Sequence, residues 1–295
     1  MGTHLAGKVG LIALCVLALG FGLGAGCPGL SPLPGPQDNG NGNGQGNGGG
    51  DGPGATDGAA LVADHAALAA FDAIPDAARV AAHAFRIFYG HTSHGSQVVT
   101  GMEMIAAENE RFAFNGNAGT LQLDEETGVD LGHLGDLAWV DITRERLDTP
   151  GHGIDIVVWS WCGGVSDNTA AGIDAYLAAM DELERDYPEV IFVYMTGHLD
   201  GTGPDENLWV RNDQIRAYCA QHDKVLFDFA DIESYDPDGQ LHADGSDACE
   251  WCTTWCATNT CPDCIECAHS HCFNCYQKGR AFWWLLARLT GWNGN

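Results

Sequence analysis

From Ala59 to the end of this 295-residue chain, short apolar runs alternate with longer stretches at helical spacing. No other feature restricts the fold as much. Arg86-Ile-Phe-Tyr89 reads as a strand ending at Gly90, and Ile154 to Trp161 as a strand stopping at Cys162-Gly163-Gly164. Val190 to Met195 is almost wholly apolar, as expected of a strand covered on both faces, and Val225 to Phe229 reads as a further strand. Between them, helical patterns run over Ala59 to Ala73, Ser96 to Phe112, Thr169 to Tyr187, Glu206 to His222 and Gly279 to Thr290, the last capped by Gly291. This rhythm predicts an α/β domain with a mostly parallel central sheet and helices on both faces. Ligands of such sheets sit beyond the carboxyl ends of the strands. The segments 90–95, 162–168, 196–205 and 230–239 are therefore where chemistry is expected.

The chain ahead of Ala59 has a different character. Lys8 precedes an apolar run from Val9 to Phe21 that ends in small residues, so 1–26 reads as a secretory signal peptide. Ala25-Gly26-Cys27 resembles a bacterial lipobox, which would make Cys27 a lipidated N-terminus. Residues 27–58, rich in Gly and Asn, then form a flexible tether, and 59–295 the folded domain. An exported protein, lipid-anchored at a bacterial cell envelope, is the expectation. The balance of 13 Lys and Arg against 40 Asp and Glu gives a net charge of −27, which excludes a phosphate-neutralising surface and hence nucleic acid as a partner. At 45% hydrophobic residues the chain is not a disordered acidic tail.

There are twelve cysteines. Setting aside Cys15 and Cys27, two stand alone, Cys162 and Cys219. Eight crowd the insert 249–275: Cys249, Cys252, Cys256, Cys261, Cys264, Cys267, Cys272 and Cys275. Export favours disulfides. The C-x-x-C steps around His269 and His271 also suit a structural zinc, the one cofactor the sequence suggests. Either arrangement staples the His-bearing loop. If His269 and His271 were themselves ligands, neither could serve as a base.

The segment Tyr89-Gly-His-Thr-Ser93-His-Gly-Ser96 runs from a strand into a helix. A Ser on such a turn exposes its hydroxyl where helix amides point at a developing oxyanion, although Ser93 or Ser96 would also serve as a plain N-cap. This block resembles the first block of the SGNH/GDSL hydrolases, and Glu266-Cys-Ala-His269 ahead of the last helix resembles their D-x-x-H block. Val158 to Gly164, Tyr194 to Asp200 and Phe282 to Leu289 resemble a bacterial SGNH-like subgroup. The resemblance implies a three-layer, flavodoxin-like domain in which Ser93 is the nucleophile, His269 the base (with His271 as competitor) and Glu266 the acid. Oxyanion donors would come from Ser93 and from among Gly132, Gly135, Gly163 and Asn168. The sequence departs from the family where His91-Thr92 stands before the Ser and where Cys162-Gly-Gly164 replaces the block that carries the family's Asn.

His91, Trp161, His198 and Asp200 are substrate-contact candidates, and Trp159, Trp161 and Trp209 line either a sugar cleft or the core. The expected activity is that of an exported esterase or deacylase acting on an acylated carbohydrate or other small ester. The alternatives are a non-catalytic surface-binding module on the same scaffold and a metal-binding protein using the Cys/His-rich insert.

Overall fold

The computed structural model describes residues 59–116 and 119–294. The leader, Cys27 and the tether lie outside the described residues. Six strands form one all-parallel sheet: β1 (Leu61–Ala63), β2 (Arg86–His91), β3 (Gln122–Thr127), β4 (Ile156–Trp159), β5 (Ile191–Met195) and β6 (Val225–Phe227), in the order β1-β6-β5-β4-β2-β3. The helices are α1 (His65–Ala70), α2 (Asp76–Ala82), α3 (Ser93–Glu108), α4 (Ala138–Leu147), α5 (Ala170–Asp186), α6 (Asn207–Gln221), α7 (Phe229–Ser234), α8 (Glu250–Cys256) and α9 (Cys272–Leu289). Without β1, the order β3-β2-β4-β5-β6 is that of a flavodoxin-like doubly wound sheet. Its direction of winding reverses between β2 and β4, and the crevice at that reversal is where such folds bind ligands.

All four residues of β4 are buried, as a strand covered on both faces requires. α9 packs with α1, α2 and α3, while α5 packs with α6 and β5. The expected parallel sheet with helices around it is therefore present, and the structure adds two strands. Leu61–Ala63, read in sequence as the start of a helix, pairs in parallel with β6, and Asp64 then caps α1 by accepting from the Ala66 amide. β3 escapes notice because it is an edge strand of mostly polar residues, Gln-Leu-Asp-Glu-Glu-Thr.

Two helices start earlier than their patterns. α3 begins at Ser93 and α9 at Cys272. They cross at Gly101 and Gly279, where a Cβ on Gly101 would lie 1.9 Å from the Cys275 carbonyl oxygen and one on Gly279 would lie 2.3 Å from the Gly101 carbonyl carbon. Only glycine permits this approach, and both helices start beside the same crevice.

Before α9, four disulfides pair the eight insert cysteines: Cys249–Cys252, Cys256–Cys261, Cys264–Cys272 and Cys267–Cys275. Trp251 and Phe273 join Cys249 and Cys252 in a small apolar cluster of their own. No helix among the described residues is long and apolar enough to cross a membrane.

Candidate functional site

β2 ends at His91, Thr92 is the N-cap, and Ser93 is the first residue of α3. The Thr92 hydroxyl donates to Asp130 Oδ2 at 2.5 Å, which anchors the turn. The first turn closes with the Ser96 amide donating to the Thr92 carbonyl at 3.1 Å. The amides of Ser93 to Gly95 thus sit at the open, electropositive end of a 16-residue helix. Ser93 Oγ lies 2.8 Å from His269 Nε2, within reach for a hydroxyl donating to an unprotonated ring nitrogen.

His269 comes from the loop just before α9 and adopts φ +61°, a left-handed conformation that few non-glycine residues take. The surroundings hold it there. Cys267–Cys275 and Cys264–Cys272 tie the loop to the first turn of α9, and Gln97 of α3 donates to the Ala268 carbonyl at 2.6 Å. Gln97 in turn accepts from Lys278, whose ammonium is fully buried and also donates to Glu233 Oε1 at 2.6 Å. Glu233 Oε2 accepts from the Leu199 amide at 2.7 Å, so one buried network fixes the loops that carry both His269 and His198. Burial pulls the Lys278 pKa down from its ordinary range, and the Glu233 carboxylate opposes that pull.

A second array meets the same hydroxyl. Cys162, following β4, has its Sγ 3.4 Å from Ser93 Oγ and 3.0 Å from His94 Nδ1. The other ring nitrogen of His94, Nε2, lies 2.9 Å from Asp247 Oδ2. The His94 ring is sandwiched between His198 (3.7 Å between centroids, 2° between planes) and His269 (4.7 Å, 18°). Burial, followed by repulsion from His198, lowers the His94 pKa to about 4, so it is a neutral imidazole at pH 7. His94, His198 and Asp247 bring potential metal-ligand atoms within 4.8 Å of one another. However, the in-plane lone pairs of two face-to-face rings run side by side and do not converge on one point.

The other expected residues are placed differently. Glu266 is exposed and makes no hydrogen bond to His269, and no carboxylate among the described residues does. Cys267 is buried and tied to Cys275, and His269 turns through positive φ, so the side chains three apart diverge. His271 caps α9, its Nδ1 accepting from the Phe273 amide at 3.1 Å, and is not the base partner of Ser93. Asn168 is consumed by its own loop, donating to the Gly164 carbonyl and accepting from the Thr169 amide, so its side chain is no oxyanion donor. Gly135 faces Gly172 and Ala175 of α5, Gly132 faces Asp136, and Gly163 takes φ +77° in the turn after Cys162.

His91 is buried against Glu125, 2.9 Å away, and Trp161 is core, its indole donating to the Met195 carbonyl. Trp159 is core as well. Asp200 accepts from Thr202 within a turn. His198 alone of the four contact candidates flanks the site, stacked on His94. The thiolates that a structural zinc would need are paired as disulfides.

Sequence reasoning passed over His94 and Asp247 and gave Cys162 no role. The available signal was positional, since Cys162 and His94 both lie within the segments that follow strands.

No family model and no curated protein matches the sequence. Among solved structures the chain is similar to a GDSL-like lipase from Bacteroides thetaiotaomicron (9% identity, 58% of this chain and 84% of that one, TM-score 0.34). It is also similar to the periplasmic domain of a lipopolysaccharide acetyltransferase from Salmonella ser. Paratyphi A (7%, 67% and 80%, TM-score 0.38). A third is a carbohydrate esterase family 2 enzyme with its carbohydrate binding domain from Corynascus thermopiles (12%, 70% and 67%, TM-score 0.39). By its own strand order the described domain is a flavodoxin-like doubly wound α/β fold, with a Ser opening the helix after β2 and a His just ahead of the last helix.

Proposed function

We propose that the protein is an exported serine hydrolase, an esterase or deacylase of small acyl esters. The observation that carries this reading is the 2.8 Å approach of Ser93 Oγ to His269 Nε2 at the N-terminus of α3, in the crevice where the sheet reverses. Ser93 attacks the acyl carbonyl while His269 takes its proton. The open amides of α3 receive the oxyanion, and His269 returns the proton to the leaving alcohol. Water, activated by the same imidazole, then releases the acid. Without a carboxylate on Nδ1 the pair works as a dyad. Four disulfides in one insert fit an oxidising compartment. In this reading Cys27 carries a lipid anchor, and acylated carbohydrates of the envelope are the first substrates to try.

The test is turnover of p-nitrophenyl acetate by the full chain, with Ser93→Ala and His269→Ala beside it. Each variant should lose about 10²- to 10⁴-fold in rate with unchanged far-UV spectra. Wild-type rates in both folded variants would sink the serine mechanism and favour a non-catalytic binding module.

A further inference from the structure

The Ser93–His269 pair leaves unused a more fully organised set of groups in the same crevice. Cys162, His94 and Asp247 come from three separate segments, the loop after β4, the first turn of α3 and the loop that opens the insert, and they form one hydrogen-bonded chain. Asp247 fixes the tautomer. Its carboxylate can only accept, so His94 Nε2 carries the hydrogen and Nδ1 presents its lone pair to the Cys162 thiol. Nucleophile, base and orienting acid therefore stand in the order that activates a thiol. His269 has no such orienter. Cys162 is half-buried and unpaired although eight other cysteines form disulfides, and its sulfur is 3.4 Å from Ser93 Oγ, so an acyl carbon placed for one nucleophile is near the other.

We propose that Cys162 is a second acyl-accepting nucleophile of this site, activated by His94 and Asp247. This inference rests on the reading above only in that an ester binds beside Ser93. The sulfur attacks the acyl carbonyl and forms the S–C bond. His94 Nδ1 takes the thiol proton and passes it to the departing alkoxide as the ester C–O bond breaks. The products are an alcohol and a Cys162 thioester. Water then adds to the thioester and releases the carboxylic acid and the free thiol.

The experiment is acid quenching of the full chain during reaction with p-nitrophenyl acetate, followed by peptide mapping of acetyl groups. Neutral hydroxylamine cleaves thioesters selectively over serine esters and so identifies the sulfur adduct. Acetyl-Cys162 is expected in the wild type and also in Ser93→Ala, with the buried Cys219 unlabelled as an internal reference thiol. His94→Gln should slow Cys162 acetylation about 100-fold, and Asp247→Asn should slow it less. Iodoacetamide labelling in each variant is read at both free thiols: Cys162 labels in the folded protein, whereas the buried Cys219 labels only when the fold is lost, so a variant that misfolds is recognised and Asp247→Asn then carries the comparison. No acetyl on Cys162, or acetylation at the same rate without the His94 imidazole, overturns the proposal. Failure of the serine reading looks different: Ser93 never carries acetyl and Ser93→Ala turns over normally, whatever happens at Cys162.

Discussion

His269 meets Ser93 through Nε2 while its Nδ1 has no hydrogen-bonding carboxylate, and Glu266 stands out in solvent. Glu266→Gln should therefore change kcat/KM for p-nitrophenyl acetate by no more than about twofold, the range of an exposed substitution away from special contacts. A loss of two orders of magnitude would restore Glu266 to the mechanism. His94 gives the site a pH signature. The folded protein keeps this imidazole neutral down to about pH 4, whereas the unfolded chain protonates it near 6.5. In that window the unfolded state binds the extra proton, so this contribution to stability is complete above pH 6.5 and is lost as pH falls toward 4. Charging His94 would set it against His198 on one face and His269 on the other, with only Asp247 to compensate. Thermal melts from pH 7 to 4 should fall more steeply for wild type than for His94→Gln, and parallel slopes would contradict this. Ser93 and His269 were legible in the sequence because each sits in a block with a recognisable neighbour pattern. The Glu266 assignment came from the resemblance of Glu266-Cys-Ala-His269 to a D-x-x-H block, and the left-handed turn at His269 carries the two side chains apart.

At the scale of elements, the crossing of α3 and α9 sets the distance between Ser93 and His269. Each helix starts beside the crevice, and the glycine contact lies a few turns along both. A methyl group at Gly279 has nowhere to go, because backbone stands 2.3 Å away. Gly279→Ala should cost about 1–3 kcal/mol by forcing the helices apart, measurable as a lower denaturation midpoint. It should also lower kcat, since small misplacements of reacting groups are expensive. An unchanged midpoint would show that the seam yields freely. Sequence reading treated Gly279 as the start of the last helix. Here its value is the missing side chain, and only the partner helix reveals that. The elements that were legible, β2, β4, β5 and α5 among them, are those whose apolar residues face the core on a regular period. β1 and β3 were missed because an edge strand of three or six residues buries too little to impose one.

For the molecule as a whole, the domain consists of a sheet with its own large core and a disulfide-bound insert with a small one. The sheet does not need the insert's cross-links to bury its strands, but the site does, because the insert supplies His269. The two longer links, each spanning eight residues, are worth about 2–3 kcal/mol apiece in the chain-entropy account. Dithiothreitol should accordingly abolish ester turnover at temperatures where the far-UV spectrum still reports an intact sheet. Simultaneous loss of both signals would show that the insert and the sheet fold as one unit.

Because all six strands point the same way, the chain enters β1 at the edge opposite the one where β2 and β4 deliver Ser93 and Cys162. α9 starts beside His269 and carries the chain about 27 Å along its axis before it ends, also away from the crevice. Both ends of the domain are thus handles on its rear side. A surface, resin or fused partner attached at either end would leave the mouth of the site turned outward, toward whatever arrives from solution.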